Sequence, residues 1–227
     1  MERIVVPELL DTDSGTPLEV SDSLADLRML NRRFGGIPTM KALLREVADQ
    51  RHLQELDWLD VAGGAGDVAT STQESLGRSG ITVRPVVLDR AATHLNGKHV
   101  NVCGDALALP FRDAAFDIVG SSLFVHHLGP DELARFAREG LRVARHAFVI
   151  NDLIRNPVHL GVALAGRLIY RSRLTRHDAP ASVRAAYTVD EVRGILEQSG
   201  ASAVSVRTSY FYRMGVIAWK KPDTSTT

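Results

Sequence analysis

The sequence predicts a single α/β domain with a mostly parallel β-sheet, helices flanking the sheet and an antiparallel strand at the end of the chain. Short β-branched runs alternate with helical patterns from residue 57 onward, which is typical of strands joined by crossover helices. These runs are almost continuously apolar, as expected of strands that are covered on both faces. We predict strands near residues 57–62, 81–88, 99–103, 115–121 and 145–151.

The helices before and between these strands follow from apolar spacing and from signals at their ends. Apolar residues recur at helical spacing from Ser21 to Phe34, Gly35 and Gly36 break the pattern, and Pro38 opens a second helix that leads to the first strand. Further helices are predicted at about 67–79, 90–96 and 131–143.

The last third of the chain departs from this alternation. An insertion from Leu153 to Ala186 contains an apolar stretch and a basic segment, and Thr188 then caps a helix that ends before Gly200. Two closing strands, 201–208 and 210–220, and a frayed polar tail should follow. The predicted parts of the domain are an N-terminal helical extension (1–55), a central core (56–152), an insertion (153–187) and a C-terminal helix with strands (188–220).

The composition is that of an ordinary soluble globular protein, with 44% hydrophobic residues, 24% charged residues and a formal net charge of zero. This balance does not favour a nucleic-acid partner. Glu2 and Glu8 interrupt the N-terminal apolar residues, so we expect no secretory signal and a cytoplasmic location. The single cysteine, Cys103, lies in a strand-like run and is expected to be buried. The apolar stretch Val158–Tyr170 is too short and too polar to span a bilayer.

The most informative local feature is the segment from Leu59 to Asp67, where a strand-forming run ends in three closely spaced glycines. Glycines allow a sharp turn and let a ligand approach the main chain, and the helix that follows directs free N–H groups toward that ligand. Gly64, Gly66 and Ala69 also satisfy the pattern G-x-G-x-x-G/A. The turn alone therefore fits a dinucleotide or another nucleoside cofactor.

Carboxylates near the ends of three successive strands narrow this choice. Asp60, Asp89 and Asp105 should meet in one crevice, because ligands of open α/β sheets bind beyond the carboxyl ends of the strands. Asp89 follows Gly66 at about the 20-residue distance expected of a residue that binds ribose hydroxyls. Asp67 would repel a pyrophosphate at the helix start, whereas a ligand with a cationic amine and a sulfonium suits it. Each of these residues also fits a helix cap or turn.

Four segments together resemble class I S-adenosylmethionine-dependent methyltransferases: 59–69, Val87-Leu88-Asp89, 104–111 and 115–119. Within that superfamily, the glycine turn is similar to that of the ubiquinone and menaquinone C-methyltransferases. The resemblance implies a Rossmann-like fold, S-adenosyl-L-methionine as the cofactor and S-adenosyl-L-homocysteine as its product. The chain departs from the pattern at residues 121–128 and lacks the usual Pro-Gly-Gly turn before the fifth strand.

The resemblance also implies where the cofactor lies. Asp60 and the glycine turn would surround the methionyl part, Asp89 the ribose and Asp105 the adenine. The complete predicted cofactor set is Asp60, Ala62, Gly63, Gly64, Gly66, Asp89, Arg90, Asp105, Ala106 and Ser121.

Two adjacent histidines, His126 and His127, follow the fourth strand, where the loop should face the transferred methyl group. A histidine titrates near neutral pH and can serve as a general base for a hydroxyl acceptor. Adjacent side chains point in different directions, so at most one should face the acceptor, and either could instead be a structural histidine. We predict no metal site, because neighbouring histidines without further spaced ligands make a poor one. Asp152 and His177 are secondary candidates.

The apolar insertion predicts a lid over a hydrophobic acceptor, such as a phenolic, polyketide or quinone-like molecule methylated on oxygen or carbon. The same helix could instead pack on the core or at a dimer interface, so a monomer and a homodimer both remain open. Segments 152–155 and 177–184 also resemble bacterial methyltransferases encoded with type III polyketide synthases. The Asn/Asp-Pro-Pro-aromatic pattern of enzymes that methylate nucleic acids is absent.

Two other functions remain open. One is an NAD(P)-dependent oxidoreductase, which would need a catalytic Tyr/Lys pair near the crevice, although the first tyrosine is Tyr170. The other is a non-catalytic S-adenosylmethionine-binding module, which the intact acidic positions disfavour.

Overall fold

One seven-stranded sheet organises the chain, for which a computed structural model describes residues 1–12, 14–92, 95, 98–209 and 212–221. Its strands are β1 (Glu55–Val61), β2 (Thr82–Asp89), β3 (Val100–Cys103), β4 (Phe116–Ser122), β5 (Ala144–Leu153), β6 (Ala203–Ser209) and β7 (Arg213–Trp219). They lie in the order β3-β2-β1-β4-β5-β7-β6, and β7 is antiparallel to both of its neighbours while the other pairs are parallel. The predicted fold class is therefore confirmed.

Helices pack around this sheet and connect its strands. They are α1 (Pro17–Arg33), α2 (Gly36–Arg51), α3 (Asp67–Gly77), α4 (Pro130–Val143), α5 (Pro157–Gly166), α6 (Arg173–Ala185) and α7 (Val189–Gln198). Short 3-10 turns cover Leu10–Thr12 and Val125–His127. Among the described helices, none is both long and apolar enough to cross a membrane.

The hydrophobic core has two parts, one on each face of the sheet, because alternate residues of a strand point to opposite sides. Leu59 and Val61 of β1 pack in one part with residues of α4 and α7, such as Phe136. Leu56 and Trp58 pack in the other part with residues of α2 and α3. Burial on both faces explains why the central strands have continuous apolar sequences.

The N-terminal segment, residues 1–12, forms hydrogen bonds with α6. The N–H groups of Leu9 and Leu10 donate to the Asp178 carboxylate at 2.9 and 3.1 Å. The Arg3 side chain donates to the main-chain carbonyls of Ala185, His126 and Leu128. These contacts place Glu8 and Asp11 near the turn that follows β4.

Several predicted boundaries require correction. The first helix begins at Pro17 rather than Ser21, because Thr16 and Glu19 form a capping box with proline at the first helical position. The second helix begins at Gly36, and β5 extends to Leu153, so the insertion starts later than predicted. Residues 93, 94 and 96 of the predicted helix 90–96, residues 210 and 211 of the predicted strand 210–220, and residues 222–227 of the predicted tail lie outside the described residues.

Cys103 is exposed rather than buried, so that prediction was wrong. It lies on β3, which forms one edge of the sheet and is covered less than the central strands. Its Sγ lies 3.5 Å from the main-chain carbonyl of Arg90.

Candidate functional site

A cavity of about 1260 Å³ opens at the carboxyl ends of β1, β2 and β4. This is where the strand order reverses, which is the usual ligand position in open α/β sheets. Pockets for one drug-sized ligand are typically about 300–1,000 Å³, so this cavity has room for a cofactor and a second molecule. Polar residues of the glycine turn and the β2 and β3 ends line one part.

The other part of the cavity lies between α1, α5, α6 and the turn after β4, and many apolar residues line it together with polar ones such as Asn31, Thr175 and Ser182. We call it the apolar chamber. Its apolar lining comprises Leu24, Leu27, Leu30, Leu123, Phe124, Leu128, Leu153, Val162, Ala163, Ile169 and Val183.

The glycine turn keeps main-chain atoms accessible at the floor of the cavity. Gly64 and Gly66 have positive φ angles of 53° and 73°, and a Cβ on Gly64 would meet no atom within 4 Å among the described residues. A Cβ on Gly63 would lie only 2.9 Å from Asp60 Oδ2. Asp67 opens α3, lines the cavity and lies 3.8 Å from Arg28 Nη1. Gly64 and Gly66 therefore allow the left-handed backbone of the turn, and Gly63 avoids a clash between a Cβ and the Asp60 carboxylate.

Asp60 lines the cavity, but it is only 1% exposed, and neither carboxylate oxygen has a hydrogen-bond partner among the described residues. Burial, followed by the nearby charge of Asp89, raises the pKa of Asp60 to about 8. A buried carboxylate without a partner is costly unless a cation or donor accompanies it. The site is therefore suited to a ligand that brings a positive charge to Asp60.

Asp89 and Asp105 lie at the rim of the same cavity and also stabilise local turns. Asp89 Oδ2 accepts the Gly64 N–H at 2.8 Å, and its Oδ1 accepts the Ala91 N–H at 2.9 Å. Asp105 Oδ1 accepts the Leu107 N–H at 2.9 Å. Both residues thus stabilise turns, and this role coexists with their position on the cavity wall.

The structure brings most of the predicted cofactor set to this cavity. Asp60, Ala62, Gly63, Gly64, Asp89, Arg90, Asp105 and Ala106 all line it. Gly66 supports the turn as the residue before α3, and Ser121 is buried, whereas the next residue, Ser122, lines the cavity. The alternation of β4 explains this difference of one position.

His126 is buried between two carboxylates at the start of the apolar chamber. Its Nδ1 lies 2.7 Å from Asp152 Oδ1, and its Nε2 lies 3.4 Å from Glu8 Oε1. Burial alone would lower the pKa of His126, but Asp152 and Glu8 outweigh it and raise the pKa to about 10. In the free protein at neutral pH, His126 is therefore an imidazolium with a carboxylate at each nitrogen.

Asp152 fixes the whole turn after β4 and not only the imidazole. Its Oδ2 accepts the N–H groups of Phe124, Val125 and His126 at 3.1, 2.8 and 3.4 Å. Burial would raise the pKa of Asp152, but the charge of His126 and the hydrogen bond from it lower the pKa below its usual value. Asp152 thus joins the end of β5 to the histidine turn.

His127 is more accessible than His126 and faces a different carboxylate. Its Nδ1 lies 3.1 Å from Asp11 Oδ2, and its ring stacks obliquely on His126 with centroids 4.2 Å apart. Ligand atoms of Glu8, His126 and His127 lie within 4.8 Å of one another. A metal ion there would have to replace the proton on His126 Nε2, and the absence of a metal remains a prediction.

Several charged residues of the cavity were not predicted from the sequence, among them Glu8, Asp11 and Arg213. Arg213 is buried and donates from Nη2 to Asn31 Oδ1 at 3.2 Å, while its Nη1 has no partner among the described residues. Burial lowers the pKa of Arg213 to about 10, and Asp152 opposes that effect. No local sequence motif predicts these residues, because only folding brings them close to the turn after β4. The Nδ1 atom of His177, a secondary candidate, lies 2.8 Å from Asp178 Oδ1.

Comparisons with known proteins agree with this geometry. Residues 59–147 match a protein-family model described as a methyltransferase domain. The plantazolicin methyltransferase BpumL, solved with S-adenosylhomocysteine, has a TM-score of 0.66 and 12% identity, with 94% of this chain and 95% of that chain covered. A SAM-dependent methyltransferase from Methanosarcina mazei has a TM-score of 0.54 and 17% identity, with 78% and 98% covered.

A third structural neighbour is the CMeT domain of the citrinin polyketide synthase, with a TM-score of 0.55 and 13% identity, where 74% of this chain and 47% of that chain are covered. The chain also spans 55% of the length of a matched chain from Nostoc punctiforme PCC 73102. At these identities the neighbours show a shared fold.

Residues 59–147 are thus similar to methyltransferase domains, and the chain shares the fold of solved S-adenosylmethionine-dependent methyltransferases.

Proposed function

We propose that the chain is a class I S-adenosylmethionine-dependent methyltransferase that methylates an oxygen or an acidic carbon of a hydrophobic small molecule, such as a phenolic, polyketide-like or quinone-like compound. The observation that carries the proposal is the continuity of one cavity from the unpartnered Asp60 carboxylate to an apolar chamber with His126 in its wall. Both substrates therefore have room in a single cavity. The name of one neighbour, the citrinin polyketide synthase CMeT domain, supports a polyketide-like acceptor.

The cofactor contacts that we propose follow from the chemistry of each residue. Asp60 would pair with the methionyl amine, because it is a buried carboxylate that lacks a cation. Asp89 would accept hydrogen bonds from the ribose hydroxyls. Asp105 and the Ala106 N–H would bind the adenine edge, and Ser122 rather than Ser121 would contact the cofactor.

Bound S-adenosylmethionine supplies an electrophilic methyl group, and its sulfur keeps the electron pair of the broken bond as the product becomes a neutral thioether. The new bond forms between that methyl group and the acceptor oxygen or carbon, whose proton must go to a base. The walls of the cavity provide alignment and exclude water, which can supply several kcal/mol of rate acceleration.

We propose His126 as the base and Asp152 as the residue that positions it. In the free protein, two carboxylates hold His126 in its protonated form. An acceptor hydroxyl that replaces Glu8 at Nε2 would remove one of these carboxylates and lower the pKa of His126, so that the neutral imidazole can accept a proton. Glu8 thus controls the protonation state of the base.

Arg213 is the residue that we propose as a partner for the acceptor's oxygen. Its guanidinium is buried in a largely apolar wall, and the unpartnered Nη1 can donate to a phenolate, enolate or carbonyl oxygen. This contact would favour the deprotonated acceptor, because the negative charge would lie beside a fixed positive charge.

The proposal includes a lid, formed by residues 153–187, over the apolar chamber. It also includes a monomer or homodimer that acts without a nucleic-acid partner. The proposed location is the cytoplasm. The presence of α5 and α6 residues in the chamber wall supports the proposed lid.

Formation of S-adenosylhomocysteine tests this function with a panel of phenols and quinones that differ only in alkyl-chain length. We expect kcat/KM to rise with chain length until the chamber is filled, because each buried methylene adds about 0.8 kcal/mol. No product with any member, despite calorimetric binding of S-adenosylhomocysteine, would favour a non-catalytic module. Binding of NAD without binding of S-adenosylhomocysteine would overturn the methyltransferase assignment.

A further inference from the structure

The outer side of α5 and the turn after it expose large apolar side chains that normally lie inside a protein. Leu168 is 91% exposed, Ile169 is 65% exposed and Val158 is 60% exposed, and Val162 and Leu164 are also exposed. A helix that is apolar all round is usually buried in a core or in a membrane. Exposed apolar residues clustered on one helix and the turn after it are typical of interaction sites.

Positive charge surrounds this apolar surface. The sequence contains no aspartate or glutamate from Leu153 to His177, although the whole chain has equal numbers of acidic and basic residues. Arg167, Arg171, Arg173 and Arg176 lie in the same segment and are exposed. Within the described part of the chain, Arg173 pairs with Glu19, whereas Arg167 and Arg176 donate to main-chain carbonyls.

The same segment forms part of the wall of the apolar chamber on its inner side. His159, Ala163 and Tyr170 line the cavity, and Ile169 both lines the cavity and reaches the surface. Apolar side chains therefore continue from the outside of α5 to the inside of the chamber.

We propose that this surface, formed by residues 157–176, lies on an anionic lipid bilayer at the level of the headgroups. Apolar side chains would enter the acyl boundary while the arginines contact negatively charged headgroups, which is the arrangement of interfacial helices. An apolar acceptor dissolved in the bilayer would then pass Ile169 into the chamber.

A second copy of the chain fits this surface less well. A two-fold symmetric contact brings the same patch of both copies together, so two arginine-rich segments without acidic residues of their own would lie close to each other. An anionic bilayer supplies the complementary charge. Delivery of the acceptor rests on the proposed function, whereas membrane binding itself does not require turnover.

Vesicle co-sedimentation tests the surface with the full chain and no cofactor or acceptor. The probes are phosphatidylcholine vesicles with and without a large fraction, about 30%, of phosphatidylglycerol. We expect binding to the anionic vesicles that weakens with salt and falls at least tenfold in the double variant Val158→Glu/Leu168→Glu. The control Val100→Glu introduces the same charge at an exposed apolar residue of the β3 edge and should bind like the wild type.

The charge requirement is tested by Arg167→Gln/Arg171→Gln, which should weaken binding about fivefold for each arginine. Arg193→Gln, at an exposed position of α7, is the matched control and should have no effect. No binding to anionic vesicles, or unchanged binding of the patch variants, overturns the proposal. A stable dimer that Val158→Glu/Leu168→Glu dissociates, without vesicle binding by the wild type, would assign the surface to a second copy instead.

The two proposals fail separately. Vesicle binding without methylation of any apolar acceptor would preserve the surface and refute the proposed function. Methylation of apolar acceptors without vesicle binding would support the proposed function and refute the membrane-binding surface.

Discussion

Two buried side chains of the cavity, Asp60 and His126, have pKa values displaced by their surroundings in the free protein. Burial and then Asp89 raise the pKa of Asp60 to about 8, which penalises its charged form. Burial opposes the positive charge of His126, but Asp152 and Glu8 raise its pKa to about 10. A ligand that brings a cation to Asp60 would favour the carboxylate form of Asp60. A ligand that displaces Glu8 from His126 would favour the neutral imidazole.

The role of Asp60 predicts a ligand-dependent loss of affinity. Asp60→Asn should weaken binding of S-adenosylhomocysteine by about 1 to 3 kcal/mol, because a charge-assisted contact with the amine is lost. It should leave the affinity for 5′-methylthioadenosine unchanged, since that ligand lacks the amino-acid part. Calorimetry with both ligands measures the difference, and Asp89→Ala, which should weaken both, is the control. Equal losses for both ligands with Asp60→Asn would contradict an amine contact.

The role of Glu8 predicts a shift in the pH dependence of the reaction. In the wild type, kcat/KM should rise with pH toward about 10, because His126 must lose a proton before it can accept one. Glu8→Gln removes one carboxylate, lowers the pKa of His126 and should move this rise to lower pH. Glu74→Gln, an exposed substitution on α3, should leave the profile unchanged. The same midpoint in wild type and Glu8→Gln would exclude Glu8 from control of the base.

At the scale of secondary-structure elements, Asp152 joins β5 to the 3-10 turn Val125–His127. Its carboxylate accepts three main-chain N–H groups of this turn, as well as the Leu153 N–H, and pairs with the His126 ring. The position of the proposed base therefore depends on the end of a strand rather than on the flexible part of a loop.

This connection predicts a large effect on stability. Asp152→Asn should lower the free energy of unfolding by about 3 kcal/mol, because it leaves a buried imidazolium without its main counter-charge. Chemical denaturation measures the loss, and Asp190→Asn at an exposed position of α7 is the control, with an expected change below about 0.5 kcal/mol. A loss as small as that of the control would mean that Asp152 does not hold the turn.

Local periodicity and turn chemistry explain which elements could be predicted from the sequence. The strands, most of the helices and the cavity positions of Asp60, Asp89 and Asp105 follow from features within short segments. The start of α1 was predictable from the Thr16 capping box but was missed. The exposure of Cys103 depends on β3 being an edge strand, which its own sequence does not reveal.

At the scale of the whole molecule, the acceptor site is assembled from distant parts of the chain. Glu8 belongs to the N-terminal segment, His126 to the turn after β4 and Arg213 to β7. Hydrogen bonds to Asp178 and from Arg3 hold the N-terminal segment in place. Contacts of this range have no local pattern, so the histidines could be predicted but their carboxylate partner Glu8 could not.

The buried imidazolium also predicts how global stability depends on pH. The pKa of His126 is about 10 in the folded protein and about 6.5 when unfolded, so its stabilising contribution is complete below about pH 6.5 and is lost as the pH rises through 10. Asp60, with a folded pKa of about 8, changes stability mainly below that pH. Between pH 8 and 10 the unfolding free energy should therefore fall by an amount on the order of a few kcal/mol.

Thermal unfolding at several pH values in this window measures the effect. His126→Asn should be less stable than the wild type at pH 8, and its stability should change much less up to pH 10. Parallel declines of wild type and variant would show that other groups cause the pH dependence.

The orientation of bound S-adenosylhomocysteine in a crystal structure tests most directly whether donor and acceptor share this cavity. We expect the homocysteine amine to lie within hydrogen-bond distance of Asp60, the ribose to contact Asp89, and the sulfur to face the apolar chamber and His126. A ligand whose adenine occupies the apolar chamber, or whose sulfur points away from His126, would contradict this expectation.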